Sequence, residues 1–128
     1  MPAEPKVLIA DDEVLIAETL GLILRQGGYD CRVVYSGAAA LAQSREFQPA
    51  LLISDVILPD INGVEVAIRV RQLVPACEIL LLSGQAATAD LMREATAAGH
   101  RFHLLSKPIP PDELLRHVAL RIRHLPRG

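Results

Sequence analysis

Leu51–Gly63 reads LLISDVILPDING, and its interpretation decides the fold. Three aliphatic residues, Leu51 to Ile53, lead into Ser54 and a single carboxylate, Asp55. Val56, Ile57 and Leu58 follow, and then Pro59, Asp60, Asn62 and Gly63 make a turn. A short apolar run closed by turn residues is the pattern of a strand buried on both faces. Asp55 then stands at the carboxyl end of that strand, on the sheet edge where open α/β proteins bind ligands. A turn-capping carboxylate would read the same way in isolation, so the remainder of the chain must decide.

The flanking sequence alternates strand and helix patterns. Upstream, Lys6–Ala10 is a first strand that ends in Asp11-Asp12-Glu13. Residues 13–26 follow as a helix, with Ile16, Leu20, Ile23 and Leu24 on one face and Gly27-Gly28 as its stop. Residues 29–35 form a second, more polar strand that suits a sheet edge. Residues 38–47 form a short Ala-rich helix. Downstream, residues 64–74 fit either a strand alternation or a helical face. A helix is the expectation, because two parallel strands need a crossover of about a dozen residues. A fourth buried strand (77–82) ends in Ser83-Gly84, and a helix over 87–98 is stopped by Gly99. A fifth strand (102–106) ends in Lys107-Pro108, and Pro110-Pro111 opens a last helix with Leu114, Leu115, Val118, Ile122 and Leu125 on its apolar face.

Five βα units predict a flavodoxin-like, doubly wound, five-stranded parallel sheet in the order 2-1-3-4-5, with helices on both faces. The expected organisation is one domain over 1–128 with its core over about 6–125. Bulk composition agrees. Hydrophobic residues are 51% of the chain and aromatic ones 3%, so the core must be aliphatic. Net charge is -2, which leaves no basic stripe for direct nucleic-acid binding. No apolar run approaches the ~20 residues of a membrane span, and residues 1–5 carry no signal-peptide pattern, so a cytoplasmic protein is expected. Cys31 and Cys77 have neither metal nor redox spacing. In the predicted order their strands lie three positions apart, roughly 14 Å at ~4.8 Å per strand, too far for a disulfide.

In this order the strand ends bring Asp11, Asp12, Asp55, Ser83 and Lys107 to one edge. Each has an ordinary alternative: Asp12 suits a helix N-cap, Ser83 a turn, and Lys107 a solvated charge. Together they suggest chemistry. Three crowded carboxylates repel one another, and a hard cation with oxygen ligands, Mg²⁺ with Mn²⁺ as a substitute, would relieve that while leaving room for phosphoryl oxygens. A hydroxyl and an ammonium beside Asp55 complete a set able to stabilise a phosphoryl group on its way to an aspartate.

The segments VLIADDE, LLISDVILPDING, LLLSG and LLSKP resemble the receiver domain of two-component response regulators over about residues 6–125, in its stand-alone, chemotaxis-regulator-like form without an effector domain. The resemblance implies that Asp55 is phosphorylated by a histidine kinase or phosphotransfer protein. It implies that Asp11, Asp12 and Asp55, with the main-chain carbonyl of Ile57, hold the metal, and that Ser83 and Lys107 contact the phosphoryl group. It further implies a cis Lys107–Pro108 bond and a docking surface on the first helix, where Leu15 and Leu22 form a second apolar stripe, and on the Pro108–Pro110 loop. The family carries Tyr or Phe where this chain has Leu104, which predicts weak switching on the face of the fourth and fifth helices. Such a module is a phosphorelay protein that catalyses only its own phosphorylation and dephosphorylation.

Two other classes compete. A small aspartyl-phosphate hydrolase of the haloacid dehalogenase type would want Asp-x-Asp after the first strand, whereas Asp11 and Asp12 are adjacent. A flavin-binding protein of this fold would want a hydroxyl- or Gly-rich phosphate loop there, and these acids would repel phosphate.

Overall fold

A computed structural model describes residues 4–84 and 88–123. Five strands alternate with five helices: β1 (Lys6–Ala10), α1 (Val14–Gln26), β2 (Asp30–Val34), α2 (Gly37–Phe47), β3 (Leu51–Asp55), α3 (Gly63–Leu73), β4 (Glu78–Ser83), α4 (Thr88–Ala97), β5 (His103–Ser106) and α5 (Pro111–Arg123). All strands pair in parallel, in the order β2-β1-β3-β4-β5. The predicted architecture and order are therefore the observed ones. Element ends differ by a residue or so. Glu13 is the N-cap of α1 rather than its first residue, Gly37 opens α2, and Ser83 belongs to β4 while Cys77 precedes it. The predicted helix start at Ala87 and the apolar position Leu125 lie outside the described residues.

Two periodicities build the core. Val7 and Ile9 of β1, Leu51 and Ile53 of β3, and Leu80 and Leu82 of β4 point to one face, where Leu20 and Leu24 of α1 and Leu114 and Val118 of α5 cover them. Leu8, Leu52, Ile79 and Leu81 point to the other, under Val66 and Val70 of α3 and Ala95 of α4. Every residue of β3 is buried, as a central parallel strand requires. The ambiguous stretch after Gly63 is a helix, opened by Asn62, whose Oδ1 accepts from Glu65 N at 2.9 Å.

Cys31 and Cys77 are both free and buried, and they sit in opposite layers of the core. Burial pushes the Cys31 thiol up to about 11 and the Cys77 thiol up to about 12, so neither is a thiolate near neutral pH.

One glycine is dictated by close approach. A Cβ on Gly63 would stand 2.0 Å from the carbonyl oxygen of Asp55. The start of α3 can thus lie directly on the end of β3, and Gly63 N donates to Val56 O at 2.7 Å.

Candidate functional site

The site lies at the carboxyl edge of the sheet, where β1 and β3 are neighbours and the chain reverses direction across the sheet. β1 delivers Asp11, wholly buried, and then Asp12, which is exposed. Asp11 N donates to Val34 O at 3.1 Å, which anchors the turn to β2. Asp11 Oδ1 accepts from Glu13 N at 3.0 Å, which draws the chain into α1. β3 delivers Asp55, 7% exposed. Its Oδ1 accepts from the Ile57 amide at 3.1 Å, so the loop after the strand folds back over the carboxylate. β4 ends in Ser83, which is buried, and Ser83 O accepts from Lys107 N at 2.9 Å. Lys107 follows β5 directly, and the Lys107–Pro108 peptide is cis, as the resemblance implied.

The central contact is ionic. Lys107 Nζ donates to Asp11 Oδ2 at 2.8 Å and to Asp55 Oδ2 at 2.8 Å, with Glu13 Oε1 at 3.9 Å. Burial alone would push the ammonium down. The hydrogen bonds and charges of Asp11 and Asp55 outweigh it and hold Lys107 above its ordinary range. The chain's own ammonium thus already answers two of the crowded acids. It does not answer all. Carboxylate oxygens of Asp11, Asp12 and Asp55 lie within 4.8 Å of one another, and of these the ammonium is hydrogen-bonded to Asp11 and Asp55. A net-negative, all-oxygen donor set of this size could hold a hard divalent cation. The cavity above it, about 320 Å³, is lined by Asp12, Glu13, Asp55, Ile57, Gly84 and Lys107.

All the predicted site residues therefore meet at one edge. Asp12 does not serve as the N-cap; Glu13 takes that place without a side-chain capping bond. Beside the site, an apolar groove of about 690 Å³ runs between α1 and the loop before α5, lined among others by Leu15, Ile16, Leu20, Lys107, Pro108 and Ile109. Leu15 is 77% exposed and Leu22 57%, so the second stripe of α1 is indeed uncovered. Leu104 lies on β5 opposite Leu81 and is 40% exposed.

Two residues near the site carry more than their sequence pattern indicated. Asp60 reads as a turn residue, yet its carboxylate accepts from the amides of Gly37 and Ala38 at 2.8 and 2.9 Å, across the start of α2. Glu13 reads as a helix residue, yet its side chain reaches toward Lys107. The Pro59-Asp60 turn signal marks the first position, but only topology shows which helix lies beside it.

Known proteins share this arrangement. A family model described as the response regulator receiver domain matches residues 7–119. The chain is similar to the DNA-binding response regulator MtrA of Mycolicibacterium paratuberculosis, with 32% identity over 118 residues, covering 92% of this chain and 51% of MtrA. It is similar to the transcriptional regulatory protein TrcR of Mycobacterium tuberculosis, with 30% identity over 125 residues, 95% of this chain and 48% of TrcR. The chain thus spans about half the length of these curated relatives. Among solved structures it superposes on the chemotaxis response regulator CheY4 of Vibrio cholerae with a TM-score of 0.79 and 28% identity, covering 92% of this chain and 98% of that one. The haloacid dehalogenase alternative finds no support in these matches. With its sheet order and its sequence in agreement over most of its length, the chain belongs to the response regulator receiver domain family.

Proposed function

We propose that Asp55 is the phosphoryl acceptor of this receiver domain. The observation that carries the reading is the Lys107 ammonium bridging Asp11 and Asp55 at 2.8 Å to each, beside an open cavity. An Asp55 carboxylate oxygen attacks the phosphorus of the donor. An O–P bond forms, and the bond from phosphorus to the donor's histidine nitrogen breaks, its electron pair leaving with the imidazole. Lys107, on a flexible stem, turns from the carboxylates to the phosphoryl oxygens, and the Ser83 hydroxyl donates to one of them. Asp11, Asp12 and Asp55, with the Ile57 carbonyl, would hold Mg²⁺, or Mn²⁺ in its place, and the cation would neutralise charge on the transferring group. Exposed Ile57 lines the cavity, and its aliphatic side chain would shield the acyl phosphate from water. In this reading the whole chain acts as one receiver module.

Intact-mass measurement tests the assignment. With Mg²⁺ and a small acyl phosphate, the chain should gain one phosphoryl group and Asp55→Asn should gain none. Equal modification of the variant would overturn it.

The groove beside the site fits a partner's helix that presents the donor histidine, and we propose it as the docking surface for a histidine kinase or phosphotransfer protein, in the cytoplasm. Leu15→Ala with Leu22→Ala should slow transfer from a protein donor and leave transfer from a small acyl phosphate unchanged. Equal loss with both donors would point to damage to the fold instead.

A further inference from the structure

The loop that leaves Asp55 is tied down at its far end by a second carboxylate. Asp60 Oδ1 accepts from Gly37 N at 2.8 Å and from Ile61 N at 2.9 Å, and its Oδ2 accepts from Ala38 N at 2.9 Å. The first amides of a helix have no partner within it. In α2 the first two are answered by Asp60, and the third, Ala39 N, donates to Ser36 Oγ at 3.1 Å. The fit is close: a Cβ on Gly37 would stand 3.1 Å from Asp60 Oδ1 and 3.0 Å from a methyl of Val66.

The near end of the loop is equally fixed. Val56 N donates to Leu82 O at 2.9 Å, and Gly63 N closes the loop onto Val56 O. Ile57 N donates to Asp55 Oδ1 itself. Only Leu58, which is buried, and Pro59, whose φ is set by its ring, separate Ile57 from Asp60. So short a stretch has little slack between the acceptor and α2.

We propose that Asp60 is a positioning residue: anchored on the first turn of α2, it holds the loop that presents the Ile57 amide to Asp55, and the state of Asp55 is felt in turn at Gly37 and Ala38. This rests on Asp55 being the acceptor. When Asp55 takes a phosphoryl group, negative charge leaves its carboxylate for the phosphoryl oxygens, so the strongest acceptor for Ile57 N–H moves outward. The loop follows that acceptor, and the pull reaches Asp60. Coupling between two sites is reciprocal in free energy, so loosening Asp60 must also weaken the phosphoryl-bound state.

Amide hydrogen exchange by NMR tests this, with and without beryllofluoride as phosphoryl mimic and Mg²⁺ present, alongside phosphoryl uptake followed by mass. In the native chain, exchange at Gly37 and Ala38 should change several-fold when the mimic binds, and Ala39, capped by Ser36, should change less. Asp60→Ala should abolish that response and lower affinity for the mimic by a similar factor. Asp60→Asn, which keeps one acceptor oxygen, should fall between and guards against a simple folding defect. Normal phosphoryl uptake with unchanged exchange at Gly37 and Ala38, or native affinity in Asp60→Ala, would overturn the inference while leaving the acceptor assignment intact. No phosphoryl uptake by the native chain would overturn both.

Discussion

Asp55 and Asp60 stand at the two ends of one short loop, and their surroundings treat the same functional group in opposite ways. Asp55 is buried and meets a side-chain ammonium and one amide. Asp60 is exposed and meets three amides fixed in the backbone. A buried ionised carboxylate needs a full opposite charge, and Lys107 supplies it at 2.8 Å from the end of a flexible stem. An exposed carboxylate at a helix start needs only N–H donors and the favourable helix dipole, and here those donors all belong to the backbone. The charged partner of the first is a single side chain, whereas the partners of the second are part of the backbone frame.

The largest test of that contrast removes the side-chain partner. Lys107→Met leaves Asp11, which is wholly buried, without its ammonium. Stripping one partner from a buried pair costs about 3 kcal/mol, so chemical denaturation in the presence of chelator should show a loss of that order. Added Mg²⁺ should restore more stability to the variant than to the native chain. A loss below ~1 kcal/mol would mean that the pair behaves as a surface ion pair and would erase the distinction from Asp60.

A smaller effect is expected from Gly63, where the loop between the two carboxylates closes. A Cβ there meets backbone, not a flexible side chain: the Asp55 carbonyl oxygen at 2.0 Å, and the Asp55 carbonyl carbon and Val56 Cα at 2.9 Å. Gly63→Ala should destabilise the fold by roughly 1–3 kcal/mol and slow phosphorylation by small acyl phosphates, since Asp55 itself must shift. Native rates in this variant would show that the geometry of the acceptor does not depend on the loop.

The smallest effect is a pH dependence at Asp60. The amides of Ala38 and Gly37 hold its carboxyl below the usual carboxylate range. With a folded pKa below the unfolded one, its contribution to stability is fully present above about pH 4 and is lost as pH falls through the folded value. The difference in denaturation midpoint between the native chain and Asp60→Asn should be constant from neutral pH down to about pH 5 and should shrink below about pH 4. A difference that stays constant into strong acid would mean that the charge of Asp60 contributes nothing beyond its hydrogen bonds.

The order of elements, the sheet order and the meeting of Asp11, Asp12, Asp55, Ser83 and Lys107 were all legible in the chain. They follow from features that act locally. Aliphatic runs of strand length, Gly27-Gly28, Pro59 and Gly99 as stops, and a polar residue at each strand end leave few arrangements once parallel crossovers must be right-handed. The ambiguous stretch over α3 yielded to the same rule, because a strand there would have left no crossover. The bridging position of Lys107 and the capping of α2 by Asp60 were not legible, because both depend on distances between residues far apart in the chain.

Alternating hydrophobicity and turn chemistry, which need only near neighbours, thus determined a doubly wound sheet with acids, a hydroxyl and a lysine on its carboxyl edge. Tertiary structure decided what each charge meets. Burial sets the cost of an ion and packing sets which donor can reach it. LLISDVILPDING contains both kinds of aspartate without marking which is which. The sheet buries Asp55 between β1 and β4, beside Lys107, and the packing of α2 against α3 brings the Gly37 and Ala38 amides to Asp60.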